Sequence, residues 1–266
     1  MTFASKHAAV LIAALAGAAA AAFSMPAEPQ GQTPMPAQSP PSSARAVNQN
    51  LVVLDPAHGG PDNGAALGEG AFEKNVDLAL AERLKTALTA AGFTVIETRV
   101  AETNDPLTTD QRAEIANRAH AIACLVLHAT TTGFGLHLYT STLQPPPAEA
   151  GEGIGAPFVP VSWETAQAGF VQQSEDLANR LSSALGNSHL PSLVGRAPVR
   201  PLDSLMCPAV AVELAPLPAP GVGATPVTDP SYQQQVAVNL TAALKAWRDS
   251  RAQQASTAPG ALGGPQ

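Results

Sequence analysis

Residues 73–98 read EKNVDLALAERLKTALTAAGFTVIET and indicate the fold class. Apolar side chains recur at every fourth position from Val76 to Leu88, which places them on one face of an amphipathic helix. Gly92 then supplies the residue type that most often ends helices in the left-handed conformation. The sequence that follows, FTVIET at Phe93–Thr98, is typical of a short strand. The stretch therefore predicts a helix followed directly by a strand.

The same alternation of strands and helices continues on both sides of this stretch. Leu51–Leu54 is an apolar run, and Thr108 with Gln111 three residues later is a capping-box pattern that predicts the start of another helix. Apolar strands alternating with amphipathic helices predict a single α/β domain, with a mostly parallel, twisted sheet and helices on both faces. The other predicted elements are strands at Ile122–Leu127, Leu136–Tyr139 and Ala209–Leu214, a helix from Phe170 to Leu185 closed by Gly186, and a last helix, capped by Asp229, from Pro230 to Trp247.

Composition limits the partners and the extent of the folded domain. The 266 residues carry a formal net charge of −7 and no block of Lys and Arg, so nucleic acid is not an expected partner. Ala8–Phe23 is an apolar run that is shorter than the roughly 20 residues of a membrane-spanning helix, which favours a signal peptide over residues 1–24 and export to the periplasm or cell envelope. The alternative is an uncleaved anchor, which would be the only membrane contact. Residues 25–49 predict a disordered linker, 50–248 the folded domain and 249–266 a disordered tail.

Two cysteines and a long insertion leave alternatives open. Cys124 and Cys207 lie in or beside apolar strands and are interpreted as buried small hydrophobic residues; a disulfide suits an oxidising compartment, but the sequence does not establish one. The Pro- and Gly-rich insertion over 144–161 is either a loop at the rim of a binding cleft or a surface loop without a function. Three histidines are interpreted as structural or solvent-facing: His120 near a helix end, His137 in an edge-like strand and His189 in a loop.

Two imidazoles and two carboxylates are predicted to converge on one edge of the sheet. His58 follows the first strand, while His128 and Glu213 each end a later one. Glu73 opens the first long helix, and ligands of open α/β sheets bind at the carboxyl ends of strands. Two His and a Glu are the ligands of several hydrolytic zinc sites, which also need a carboxylate as general base. In the simpler alternative, His58 binds backbone and Glu73 only stabilises the helix N-terminus.

Six segments of the predicted domain match one known family in order. They are VVLDPAHGGPDNGA (52–65), FEKNVDLALAERLKTALTAAGFTVIETR (72–99), LTTDQRAEIANRA (107–119), LVLHAT (125–130), SEDLANRLSSAL (174–185) and PAVAVEL (208–214). Together they resemble the type-3 catalytic domain of the zinc-dependent N-acetylmuramoyl-L-alanine amidases, which trim peptidoglycan. The resemblance implies that His58, Glu73 and His128 bind Zn²⁺. It also implies that Glu213 is the catalytic carboxylate.

The resemblance implies metal-assisted hydrolysis of the amide bond between N-acetylmuramic acid and L-alanine. Peptidoglycan is then the expected partner, and an activator protein is left open. The chain departs from the family at five positions: Ala57 stands for Gly, Val126 for Ser, Thr130 for Asn, and Ala215 and Pro216 for Gly and Phe. These departures leave two alternatives, a weak or inactive peptidoglycan-binding module of the same fold, or a zinc hydrolase of another exported amide or peptide.

Overall fold

The computed structural model describes residues 47–68, 70–146, 162–219, 221 and 223–257. Within them the strands are β1 (Asn48–Pro56), β2 (Ala66–Gly68), β3 (Ala71–Phe72), β4 (Thr94–Glu97), β5 (Ala121–Ala129), β6 (Leu136–Thr140), β7 (Ser192–Arg196), β8 (Ala209–Leu214), β9 (Leu217–Ala219) and β10 (Gly223–Thr225). The helices are α1 (Glu73–Ala90), α2 (Thr109–Ala119), α3 (Val171–Asn187) and α4 (Pro230–Thr257), with 3₁₀ helices at Trp163–Phe170 and Leu202–Ser204.

Six of these strands form the central sheet, in the order β4-β1-β5-β8-β6-β7. Neighbouring strands run parallel except β6 and β8, which pair antiparallel. The strands β2 with β3 and β9 with β10 form two small antiparallel pairs outside the sheet. The predicted mostly parallel sheet is confirmed. It aligns the carboxyl ends of β1, β5 and β8 on one edge.

Helices cover both faces of the sheet, as predicted. Successive side chains of a strand point to opposite faces, so Val52 joins the hydrophobic cluster under α1, α3 and α4 while Val53 joins a second cluster under α2. Trp247 of α4 is fully buried in the first cluster, where its indole N–H donates to Asp176. The second cluster contains Cys124. This second face also carries the polar side chains described below.

Local sequence signals predicted boundaries of α1, α2 and α4, whereas α3 continues through the predicted closing residue Gly186 to Asn187. The helix predicted after Phe72 is α1, and Gly92 follows it with a φ of +84°. Thr108 and Gln111 form both hydrogen bonds of the capping box at the start of α2. Asp229 accepts the backbone N–H of Tyr232 in the first turn of α4. These caps occupy the otherwise unpaired N–H groups of helix N-termini.

The C-terminal prediction requires a correction, because α4 continues past Trp247 to Thr257. Residues 249–257 are therefore helical rather than a disordered tail. They contain good helix formers, and the Arg251 guanidinium lies 4.8 Å from the centre of the Trp247 ring. The other predicted terminal segments, together with 147–161 of the insertion, lie outside the described residues. No helix among the described residues is long and apolar enough to span a membrane.

The two cysteines are buried, and they form a disulfide. Cys124 lies on β5 and Cys207 directly precedes β8, with their Cα atoms 6.1 Å apart. Both side chains belong to the hydrophobic cluster under α2, as the prediction of buried hydrophobic residues required. The sequence left the pairing open because only the adjacency of β5 and β8 brings the two residues together.

Candidate metal centre and active site

His58 lies in the turn that follows β1, and two buried arginines hold this turn. Its backbone has a φ of +59°, a conformation that residues other than glycine adopt rarely. Arg99 donates to the carbonyls of Pro56 and Ala57 at 2.9 and 2.7 Å. Arg112 donates to the His58 carbonyl and to the Asp55 carboxylate, the latter at 2.7 Å. These bonds offset the strain of the turn and direct the His58 ring toward the start of α1.

Glu73 is the first residue of α1, and backbone groups orient its carboxylate. Its Oε2 accepts the N–H of Ala65 at 2.9 Å, and its Oε1 accepts the N–H of Ala129 at 3.3 Å. The first bond ties the side chain to the loop after β1, and the second ties it to the end of β5. Only 9% of the Glu73 side chain is exposed. The carboxylate therefore has a fixed position between the two segments that carry the histidines.

His58, Glu73 and His128 come together in one cluster. His58 Nε2 lies 3.2 Å from Glu73 Oε2, and His128 Nδ1 lies 2.8 Å from Glu73 Oε1. One ligand atom from each residue lies within 4.8 Å of the other two. The backbone of Gly64 packs directly against the cluster, because a Cβ at this position would lie 2.7 Å from both Glu73 Oε2 and His58 Cδ2. The convergence predicted from the strand ends is present in the structure.

Hydrogen bonds within the cluster stabilise the ionised carboxylate of Glu73. Burial alone raises the pKa of Glu73, but hydrogen bonds from His128, His58 and the Ala65 N–H outweigh it and bring the pKa well below its usual range. The hydrogen bond to Glu73 raises the pKa of His58, which burial opposes and a bond to Asp62 supports. The site therefore holds a carboxylate anion in contact with two imidazoles.

The donor set fits a zinc ion. Zinc in hydrolytic sites takes nitrogen and oxygen donors from three protein residues and keeps one further position open. His128 Nε2 is buried and has no hydrogen-bond partner among the described residues, so one ring nitrogen of this imidazole is unsatisfied. His58 Nδ1 bonds to Asp62 Oδ2 at 2.9 Å, which fixes the ring and leaves Nε2 to face Glu73. A carboxylate partner of this kind commonly orients a metal-binding histidine.

Glu213 lies on the same face of the sheet, beside the cluster but outside it. In the sheet register Glu213 of β8 is opposite His128 of β5 on one side and His137 of β6 on the other. His137 Nδ1 lies 2.6 Å from Glu213 Oε2. Glu213 does not belong to the group of three residues whose ligand atoms converge. Its carboxylate is therefore paired with His137 and separate from the converging ligand atoms.

The interpretation of His137 as a residue of an edge-like strand is wrong. β6 lies between β8 and β7, and the His137 side chain is only 9% exposed. The alternation LHLY at 136–139 already places His137 on the face opposite its leucine neighbours. Sequence alone did not reveal that β8 is the neighbour on that side. His120, in contrast, ends α2 in a left-handed conformation, as expected for a histidine near a helix end.

A cavity of about 260 Å³ lies next to the candidate metal centre. His58 and His128 line one part of it, and Arg200 and Leu107 line another. The cavity therefore gives a ligand in solution a route to the cluster. Its lining combines imidazole, guanidinium and apolar groups, which suits a substrate with both polar and apolar parts.

The five departures from the family pattern contribute no ligand atom to the cluster. Ala57 acts through its backbone, since its carbonyl accepts from Arg99. Val126 is buried in the hydrophobic cluster under α2. The Ala215 carbonyl accepts the hydroxyl of Tyr232 at 2.9 Å, and Pro216 accepts a backbone N–H. The fifth departure, Thr130, bonds to Thr132 at 2.9 Å.

Curated relatives match part of the chain. A segment of 91 residues is 37% identical to N-acetylmuramoyl-L-alanine amidase AmiA of Escherichia coli, which is 34% of this chain and 31% of that protein. A segment of 103 residues is 33% identical to N-acetylmuramoyl-L-alanine amidase AmiC of Neisseria meningitidis and covers 39% of this chain and 24% of that protein. The matched regions thus span about a third or less of these relatives.

Solved structures share the fold, and a family profile matches most of the chain. The N-acetylmuramyl-L-alanine amidase Ami1 of Mycobacterium smegmatis superposes with a TM-score of 0.59 at 20% identity, covering 77% of this chain and 99% of that one. The amidase AmiC2 of Nostoc punctiforme gives 0.52 at 24% identity, covering 78% and 99%. The profile of the N-acetylmuramoyl-L-alanine amidase family matches residues 52–246. This chain therefore belongs to the N-acetylmuramoyl-L-alanine amidase family.

Proposed function

We propose that this protein is an exported zinc amidase that cleaves the bond between N-acetylmuramic acid and L-alanine in peptidoglycan. The observation that carries the proposal is the convergence of His58, Glu73 and His128 within 4.8 Å, with Glu213 beside them on the same face of the sheet. This combines a candidate ligand set with a separate carboxylate. Metal-assisted amide hydrolysis requires both.

His58, Glu73 and His128 would hold the ion. Zinc, when bound, supplies Lewis-acid polarisation of the amide carbonyl and makes water more acidic. Glu213 accepts a proton from the attacking water through a carboxylate that the ligand cluster does not use. The water oxygen forms a bond to the lactyl carbonyl carbon, and the carbon–nitrogen bond to L-alanine breaks. Glu213 then returns the proton to the departing amine, which balances the reaction.

The buried arginines support this chemistry indirectly. Arg99 and Arg112 hold the turn that carries His58 through its backbone carbonyls, so neither guanidinium needs to touch the substrate. Asp62 holds the His58 ring through Nδ1. Residues that hydrogen-bond to metal ligands fix the orientation of those ligands, and their loss typically weakens metal binding or activity by about 10- to 100-fold.

Export is supported by the disulfide and by the N-terminal sequence. The pair Cys124–Cys207 suits an oxidising compartment outside the cytosol. The apolar run at Ala8–Phe23 has the length of a signal-peptide core. Peptidoglycan lies in the same compartment, so the proposed location and the proposed substrate agree.

Two isosteric substitutions test the assigned roles. Glu213→Gln should keep zinc near full occupancy, because the three ligands are untouched, and should lower turnover of peptidoglycan by roughly two to four orders of magnitude. Glu73→Gln should lose zinc and activity together, because the carboxylate supplies one of the three proposed ligand atoms. Glu114→Gln, which changes an exposed carboxylate on α2, is the matched control and should behave as the wild type.

The outcomes separate the alternatives. A wild-type protein that binds zinc and peptidoglycan but releases no stem peptide would identify a binding module and refute the proposal. Release of a different amine from an exported peptide would identify another zinc hydrolase. A Glu213→Gln variant as active as the wild type would refute the proton-transfer role while leaving the metal centre intact.

A further inference from the structure

His137 and Glu213 form a pair across two neighbouring strands. β6 and β8 pair antiparallel with His137 directly opposite Glu213, and β5 and β8 pair with His128 opposite the same residue. Directly opposed residues of paired strands share one face of the sheet. The three side chains therefore form a row, in which the carboxylate lies between the candidate zinc ligand and a second imidazole.

The hydrogen bond in this pair is short and sheltered. His137 Nδ1 lies 2.6 Å from Glu213 Oε2, and the two side chains are 9% and 30% exposed. Since a carboxylate oxygen can only accept, Nδ1 is the donor. Among the described residues, no other side chain or backbone N–H donates a hydrogen bond to the Glu213 carboxylate. Oε1 is therefore left for water or substrate, while Oε2 is anchored.

The His137 ring is itself held in place. Gly133 passes so close that a Cβ there would lie 2.6 Å from His137 Cε1 and 2.7 Å from Nε2. Its φ of +77° also favours glycine. On the same strand, the Tyr139 ring meets the His137 ring edge-on with 6.2 Å between centroids. The ring therefore has little freedom to rotate away from Glu213.

We infer that His137 is a positioning residue that holds the Glu213 carboxylate in the orientation needed for proton transfer. This inference rests on the proposed function of Glu213 as the general base. A glutamate side chain has three rotatable bonds, and a misplacement of about 1 Å can cost roughly 100-fold in rate. The anchored Oε2 restricts these rotations and presents Oε1 to the attacking water. His137 acts through Glu213 and is not a metal ligand, because it lies outside the converging group.

Two substitutions at position 137 separate positioning from packing. His137→Leu fills the space without a donor, and we expect its kcat to fall by about 10- to 100-fold while KM changes little, because only the transition state gains from an oriented base. His137→Asn keeps a donor near the position of Nδ1 and should recover kcat to within about tenfold of the wild type. Zinc content and melting temperature report whether either variant disturbs the metal centre or the fold. His189→Asn, a histidine in a left-handed loop position, is the matched control and should match the wild type.

A second measurement does not depend on turnover. Long-range proton–nitrogen NMR spectra of protein labelled with ¹⁵N-histidine should show a proton on Nδ1 of His137. Crystal structures of the wild type and His137→Leu should show that Glu213 has one side-chain orientation in the former and several in the latter. An unprotonated Nδ1, or an unchanged Glu213 in the variant, would overturn the inference. So would a folded His137→Leu variant with wild-type kcat, or equal losses in the Leu and Asn variants. If the wild type released no stem peptide, the proposed function would fail, and these structural readouts would still decide the role of His137.

Discussion

Gly64 is the residue at which a single methyl group tests the geometry of the candidate metal centre. An alanine Cβ at this position would lie 2.7 Å from Glu73 Oε2, 2.7 Å from His58 Cδ2 and 2.8 Å from Glu73 Cβ. Ordinary contact begins near 3.4 Å, so the two side chains must retreat by about 0.7 Å. Metal sites tolerate ligand displacements of only about 0.2 Å. Gly64→Ala should therefore disrupt the ligand set more than the fold.

The expected loss in zinc affinity is about 10- to 100-fold, or roughly 1.4 to 2.8 kcal/mol. The φ of +63° at Gly64 adds a backbone strain of about 1–2 kcal/mol to folding. Gly92→Ala is the matched control, because its φ is +84° and no atom lies within 4 Å of its Cβ position. Gly92→Ala therefore introduces backbone strain, as Gly64→Ala does, but no steric clash with a metal ligand.

Competition with a chromophoric zinc chelator measures the affinity of the wild type and of both variants, and thermal melts measure their stability. Gly92→Ala should bind zinc as the wild type does and melt at a lower temperature. If Gly64→Ala bound zinc as tightly as Gly92→Ala, Glu73 and His58 could not both be ligands in the geometry described here.

A buried carboxyl group, the disulfide and the metal centre can each be tested separately. Asp77 is fully buried and accepts no hydrogen bond from a described residue. Burial therefore raises the pKa of its carboxyl group well above the usual value, and the nearby charge of Glu73 raises it further. The protonated Asp77 side chain therefore contributes fully to the stability of the metal-free protein below pH 3.8, and this contribution is lost as pH rises toward the folded-state pKa. Over that pH range, urea titrations should show that Asp77→Asn gains stability relative to the wild type by up to about 1.4 kcal/mol per pH unit. A difference in stability that stays constant with pH would contradict this. The disulfide links residues 83 positions apart, so a reductant should lower the unfolding free energy of the wild type by about 2–4 kcal/mol. The same reductant should leave the stability of a Cys124→Ala, Cys207→Ala double variant unchanged. An equal response of the two proteins would show that the bond does not form. Chelation should remove zinc and activity without unfolding, because the apolar core does not contain the metal centre; cooperative unfolding in circular dichroism on chelation would instead identify a structural metal.

Local patterns predicted most of the elements that position the site. The four-residue apolar repeat of α1 and the capping box of α2 depend only on neighbours in sequence, so both predictions are confirmed. The convergence of His58 and His128 followed from a general property of parallel sheets, since their strand ends share one edge. The role of these residues as metal ligands stays a prediction.

Features that depend on which strands are neighbours were not predictable from one sequence. The pair of His137 with Glu213 and the bond between Cys124 and Cys207 both depend on the position of β8 between β5 and β6. Strand order is decided by packing across the whole domain. β7 was missed for a different reason, because its half-exposed sequence SLVGR lacks the apolar pattern of a buried strand.

Mass analysis of the products released from purified peptidoglycan shows directly which bond the protein cleaves. The zinc-loaded protein, with Glu213→Gln as the control, is incubated with intact peptidoglycan sacculi. We expect intact stem peptides with a free amino group on L-alanine and glycan strands that carry free lactyl carboxylates, with both products formed roughly two to four orders of magnitude more slowly by the variant. Fragments cut within the stem peptide or the glycan, or no fragments from a zinc-loaded wild-type protein, would contradict the proposed reaction.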